Sequence, residues 1–313
     1  MFIGHETVAF AVVALAAVRL GVSKERALAL GVAAGLFAAV PDADMVYALS
    51  GLLSAQGGVF GATEAFWAAS TAVHRTITHS VVLAAPAALA FALLHDEQTT
   101  FRAAGWTVLV GVAGVAFLVS GPLALLVTAA FAAAGRLVLL ALDRYVTPAL
   151  SARDVGVAAF AGLATHPFGD YLTGHPPDLL YPLPIHILTA RPDLFGDETL
   201  NLLAAFGFEL ACIWAGVLVA LHLLDRDPRD YVSPKATAGI AYAAVAFVVT
   251  PPTLDLSYPF VFSVLAVGVV GVTPDYTRRL PDAPTAALTG LAAVTLAGVA
   301  YLATYLGFVS EYL

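Results

Sequence analysis

Residues 104–142 read AGWTVLVGVAGVAFLVSGPLALLVTAAFAAAGRLVLLAL, and Arg136 is the only charged side chain among them. As one helix the stretch would run ~58 Å at ~1.5 Å per residue, about twice the ~30 Å hydrocarbon core of a bilayer. Ser120-Gly121-Pro122 stands near its middle. Glycine permits backbone angles closed to other residues, and proline cannot donate the helical hydrogen bond. The stretch therefore reads as two crossings joined by a tight reversal, a division that sets the parity of every crossing after it.

Working outward, apolar segments that cross or nearly cross a bilayer are expected at 7–20, 27–40, 80–94, 104–120, 122–142, 155–171, 200–224, 236–251, 257–273 and 285–308. The expected fold is all-α, a polytopic integral membrane helix bundle of about ten transmembrane segments, with residues 1–313 as one membrane domain. Composition agrees: 60% hydrophobic, 12% charged and a mean hydropathy of +0.88 lie outside the range of soluble domains. A net charge of −8 excludes the basic surface that a nucleic-acid partner needs. Arginines outnumber lysines 12 to 2 and acidic residues fill the loops, as expected of a high-salt or high-GC organism such as a hypersaline archaeon. The single cysteine, Cys212, lies in an apolar run and reads as a packing residue. His5 and Glu6 stand where a signal peptide would carry Lys or Arg, so no cleaved leader is expected.

The positive-inside rule gives an orientation. With the N-terminus outside and ten alternating segments, the inner side holds Arg19, Lys24, Arg26, Arg102, Arg136, Arg144, Arg153, Arg226, Arg229, Lys235, Arg278 and Arg279, and the outer side only Arg75 and Arg191. The expected location is a multi-pass chain in the plasma membrane with its N-terminus outside. His5, Asp42, Asp44, His74, His79, His166 and Asp170 then share the outer face. Residues 41–79 read as a mobile or partly re-entrant loop containing Gly57-Gly58, and residues 172–199, rich in proline, as an ordered cap.

Those seven residues carry the chemistry. Asp42 and Asp44 follow Pro41, and carboxylates so close repel unless a cation lies between them; the alternative is a solvated helix end. His74 and His79, five apart, sit about 140° apart on a regular helix. They share one ion only if a helix starts between them, with Thr78 or Ser80 as its N-cap; otherwise they belong to a polar interfacial turn. Arg75 between them suits phosphate or carboxylate oxygens. His166 and Asp170 are four apart, one face of a helix, and suit two ligands or a ligand with its supporting carboxylate; a buried His–Asp hydrogen bond is the plainer reading. His175 and His186 are weaker candidates, and His95 and His222 read as interfacial. Glu209, inside an apolar segment, is expensive to bury and reads as functional.

In order and spacing, His5, Pro41-Asp42-Ala43-Asp44, His74-Arg75-Thr76-Ile77-Thr78-His79-Ser80, His166 to Asp170, and the following Thr173, Gly174 and Leu180-Tyr181-Pro182 resemble the YdjM-like integral membrane proteins, a family of predicted membrane-bound metal-dependent hydrolases. The resemblance covers about residues 1–190 and leaves 191–313 as an apolar helical extension. It implies a metal-dependent hydrolase and names no substrate. From the residues themselves the expectation is one or two divalent metals (Zn, Mn or Fe) at the outer face, held by His74, His79, His166, Asp42 and Asp170 with His5 and Asp44 next. Arg75 is expected to bind the substrate anion, with a carboxylate such as Asp44 as general base. The expected substrate is a phosphoester or ester, and a site at bilayer depth favours a lipid-linked one. The competing expectation is a non-enzymatic scaffold, transporter or lipid-handling protein among membrane lipids, with the polar cluster structural.

Overall fold

The structure, a computed structural model, describes residues 3–70, 75–173, 176–254, 256–274 and 279–309. Among them the regular structure is helix alone, with no strand. The α-helices are α1 (Gly4–Arg19), α2 (Lys24–Ala38), α3 (Gly58–Ser70), α4 (Val81–His95), α5 (Thr99–Ser120), α6 (Pro122–Tyr145), α7 (Ala152–Thr173), α8 (Glu198–Leu223), α9 (Tyr258–Ala266) and α10 (Ala283–Thr304). Tighter 3₁₀ windings occupy Pro41–Leu53, Ile77–His79, Pro234–Phe247 and Val267–Val272 among others.

All ten expected apolar segments are helical, but five helices are long and apolar enough to cross a bilayer: Lys24–Leu53, Thr99–Ser120, Pro122–Tyr145, Glu198–Leu223 and Ala283–Phe308. Val81–His95 and Tyr258–Val272 are apolar but shorter. The reversal between α5 and α6 falls at Gly121, whose φ of 79° favours glycine. The expected loop at 41–79 is instead largely wound, as the Pro41–Leu53 continuation of α2 and as α3. Both pieces are shorter than a span, so a search for span-length apolar runs passes over them. Residues 176–197 after α7 carry no helix.

The chain divides into two compact units, Met1–Arg191 with Ala215–Ala220, and Pro192–Trp214 with Leu221–Leu313. The first unit is built on small residues. Ala27, Ala33, Ala34, Phe37 and Ala38 of α2, Ala87, Ala90 and Phe91 of α4 and Val155, Ala158, Ala159 and Leu163 of α7 form one core. Small side chains let backbones approach closely, the packing that serves helices in lipid, where no hydrophobic drive acts between them. Gly162 shows this best: a Cβ there would collide with the Ala34 carbonyl and the Ala38 nitrogen. α7 thus lies directly on the end of α2, and one turn later it presents His166.

The second unit has an aromatic core of Phe206, Tyr242, Phe260 and Tyr301 with Leu202, Leu203, Leu210 and Val264. Phe260 and Tyr301 meet with ring centroids 5.1 Å apart. α10 lies against the Pro234–Phe247 winding, where Gly239 rests on the Ala293 carbonyl.

Candidate metal centre

Three separate stretches of the first unit bring their polar side chains to one point. The Pro41–Leu53 winding supplies Asp42 and Asp44 from its first turn. In a 3₁₀ winding of three residues per turn, residues two apart face about 120° away from each other. The two carboxylates therefore cannot face the same point. Asp42 turns toward the histidines, its side chain 31% exposed, while Asp44 is buried. Ile77–His79 forms a single short turn, and Ser80 then caps α4, accepting from the Leu83 N–H at 3.2 Å. That break in the helix delivers His79 into the interior. α7 runs through Pro167 as a continuous helix, so His166 and Asp170 share one face, both buried.

The facing atoms form a small polyhedron. His79 Nε2 lies 3.0 Å from His166 Nε2, 3.0 Å from Asp170 Oδ2 and 3.7 Å from Asp42 Oδ1. His166 Nε2 lies 3.4 Å from Asp42 Oδ1 and 3.6 Å from Asp170 Oδ2. All four residues offer ligand atoms within 4.8 Å of one another. Donors around a tetrahedral ion with bonds of ~2.0–2.2 Å stand roughly 3.3–3.6 Å apart. The spacing fits an ion of that size.

Hydrogen bonding fixes which nitrogens face inward. His166 Nδ1 lies 2.6 Å from the Ala38 carbonyl, which only accepts, so Nδ1 carries the proton and donates. Thr78 spends its hydroxyl proton on Asp44 Oδ2 at 2.7 Å, so its oxygen accepts from His79 Nδ1 at 2.9 Å. Asp44 Oδ2 stands 3.6 Å from the same Nδ1. Both Nε2 atoms and two carboxylates thus face one buried point, an arrangement that a bound metal ion or an added proton on an imidazole can satisfy. Burial disfavours the charged form of His79, but the Asp170 and Asp42 carboxylates outweigh that and hold it above the usual imidazole range. The buried Asp/His/His/Asp cluster is one that can bind a metal ion.

A family model described as "YdjM inner membrane protein" matches residues 1–251. The chain belongs to that family. No curated protein and no solved structure matches it. The YdjM match runs past residue 190, so more of the chain is family-like than the motifs alone indicate.

Around the four, His5 of α1 stacks on His166 with ring centroids 3.9 Å apart, and its Nε2 lies 3.3 Å from Asp170 Oδ1. Arg75 sends Nη2 to the same Oδ1 at 3.2 Å and Nη1 to the Asp170 carbonyl at 3.4 Å. Its φ of 70° is unusual for a non-glycine residue. Its own carbonyl accepts from Asp178 N–H at 2.9 Å, joining the motif to the cap. Asp44, expected among the ligands, stands behind His79. Thr78 was expected only as a possible cap; its hydroxyl between Asp44 and His79 is the part that sequence reasoning missed, and its one signal is adjacency to a ligand-type histidine.

His74 and His175 lie outside the described residues. His186 is exposed and meets Asp178 at 3.1 Å. His95 reaches the Leu150 carbonyl at 2.9 Å and Asp143 at 3.4 Å, a tie between helix ends. His222 is in the last turn of α8, and Glu209 is buried in the second unit.

Proposed function

We propose that this YdjM family member is a membrane-bound metal-dependent hydrolase of phosphoesters or esters, acting on a lipid-linked substrate at the extracytoplasmic face, with its N-terminus outside and about ten crossings. The observation that carries the reading is the pair of Nε2 atoms held 3.0 Å apart beside two carboxylates. Asp42, His79, His166 and Asp170 would hold the ion. When bound, a divalent ion such as Zn, Mn or Fe supplies a water nucleophile at neutral pH and polarises a phosphoryl or carbonyl oxygen. The chain's own residues do the rest. The Ala38 carbonyl and the Thr78–Asp44 pair keep both imidazoles in the ligand tautomer, so Asp44 is assigned a positioning role. Asp42, the one partly exposed member of the four, marks the side open to water. Arg75 pairs with Asp170 at 3.2 Å and offers its charge to the substrate anion.

A second reading is favoured by one observation: the side chains of His79, His166 and Asp170 are at most 2% exposed, and four protein groups would be available to hold an ion. Structural sites are closed in that way, whereas catalytic ones keep a position free. In this reading the metal holds a scaffold or lipid-handling protein together.

The deciding experiment is metal analysis of the purified full chain, then assay of lipid phosphoesters and esters with wild type, His79→Ala and Arg75→Ala. A hydrolase loses metal and turnover together in His79→Ala, and keeps metal but loses turnover of anionic substrates in Arg75→Ala. Metal-dependent stability without turnover on any ester installs the scaffold reading instead.

A further inference from the structure

The cap that follows α7 carries an apolar stretch that the metal centre does not use. From Leu179 to Ala190 the chain has no Asp, Glu, Lys or Arg. Its first residues are tied down. Val81 N–H donates to the Leu179 carbonyl at 2.9 Å, the Ser80 hydroxyl donates to the Tyr181 carbonyl at 2.5 Å, and Leu179 and Tyr181 are buried. Beyond Pro182 the stretch turns outward, and Leu183, Ile185, Ile187 and Leu188 are each 44–51% exposed. Four large apolar side chains within six residues of an ordered, non-helical segment form a patch of the kind that marks an interaction surface.

The height of this patch is fixed by Tyr181. Its hydroxyl shares a hydrogen bond with the Ser120 hydroxyl at 2.9 Å, and Ser120 is the last residue of α5. The root of the cap therefore lies at the Gly121-Pro122 reversal between two helices long and apolar enough to cross a bilayer. Beside that reversal Leu118, Val119, Leu125 and Leu126 are all exposed, so the apolar surface of the α5–α6 hairpin continues up to the turn. A cap rooted there emerges at the margin of the hydrocarbon layer. Within residues 183–188 the one ionisable side chain, His186, is turned toward Asp178 at 3.1 Å.

We infer that residues 183–188 are immersed in the boundary between headgroups and acyl chains, and that the partner of this surface is the lipid bilayer itself. Irregular backbone is excluded from the hydrocarbon centre, where its polar groups find no partner. At the boundary water still reaches the backbone while apolar side chains enter the acyl region, which is where amphipathic surface elements settle. The cap is bonded to Ser80 and Val81, next to His79, so an immersed cap brings the lipid surface to the rim of the polar cluster. The inference does not depend on the hydrolase reading, and its failure would leave that reading standing.

Spin labelling tests it directly. The full chain carrying Cys212→Ala with Ile185→Cys or, separately, Ile187→Cys is labelled with a nitroxide and reconstituted into phosphatidylcholine–phosphatidylglycerol vesicles. The expected result at both positions is frequent collision with oxygen, which concentrates in lipid, and loss of collision with a water-soluble nickel chelate. Nickel collisions equal to or above those of oxygen would place the stretch in water. Suppression of both would mean that protein, for example a second copy of the chain, covers it. Either outcome overturns the inference. Should one variant fail to fold, the other alone carries the test, because both positions belong to the same exposed patch.

Discussion

In the first unit most of the buried polar groups answer one another, Thr128 of α6 apart, and in the second they are dispersed. His5, Asp44, Thr78, His79, His166 and Asp170 are all buried within one connected network centred on two imidazoles. The second unit buries Thr199, Glu209 and Thr289 at separate places and sets its tyrosine hydroxyls around an aromatic core. There Tyr242 shares a hydrogen bond with Ser263 at 2.6 Å, and Tyr305 donates to Asp197 at 2.9 Å. An isolated buried polar group needs one partner and is then silent. Two imidazoles and two carboxylates facing one point share a proton among them or take up a metal ion in its place. The contrast separates polar burial that serves packing from polar burial that can bind a metal ion.

The largest expected effect attacks that contrast at its centre. His166→Ala removes one donor of four and also the bond to the Ala38 carbonyl that holds α7 to α2. Metal content should fall to background. Stability should drop by the share that bound metal provides, about 3–4 kcal/mol with metal at 100–1,000 times its dissociation constant. Thermal unfolding with and without a chelator measures it: wild type should lose stability on chelation and His166→Ala should not respond. A wild type indifferent to chelation would mean that protonation alone satisfies the cluster.

A smaller effect comes from one layer out. Asp44→Asn keeps the shape of the side chain but weakens its acceptance from Thr78 and hence the orientation of His79. Supporting groups of this kind are worth 10–100-fold in metal affinity. Competition titration against a fluorescent chelator should show a loss of that size with stoichiometry unchanged. A change in stoichiometry would instead return Asp44 to the set of direct ligands.

How much of this could be read from the chain differs from residue to residue. His166 and Asp170 could be read, because an i, i+4 pair shares a helix face, and one proline costs the helix a hydrogen bond without ending it. The break that delivers His79 could be read from Ser80, a strong capping residue before an apolar run. The different duties of Asp42 and Asp44 could not. They depend on a 3₁₀ winding after Pro41, which turns neighbours two apart to different sides, and hydrophobic patterning is too coarse to separate that from a helix or a loop over thirteen residues. Nor could the role of Thr78, since a hydroxyl is placed by the fold around it. The α5–α6 reversal was plain from Gly121-Pro122, while Val81–His95 is an apolar helix shorter than a span, and its length alone does not make it a crossing.

The smallest effect tests the other side of the comparison. Tyr301 is 1% exposed, packed between Tyr242 and Phe260, and its hydroxyl has no hydrogen-bond partner among the described residues. Such a buried hydroxyl costs about 1–3 kcal/mol when left unmade, so removing it should do no harm. Tyr301→Phe keeps the ring in place and should leave stability unchanged or raise it by up to ~1 kcal/mol, the shortfall from the full penalty reflecting small rearrangement around the ring. Metal content should be untouched. Thermal unfolding of the variant beside wild type gives the answer. A loss of more than ~1 kcal/mol, the net worth of a typical hydrogen bond, would show that this hydroxyl holds a partner. The second unit would then join the first in burying polar groups for something other than packing.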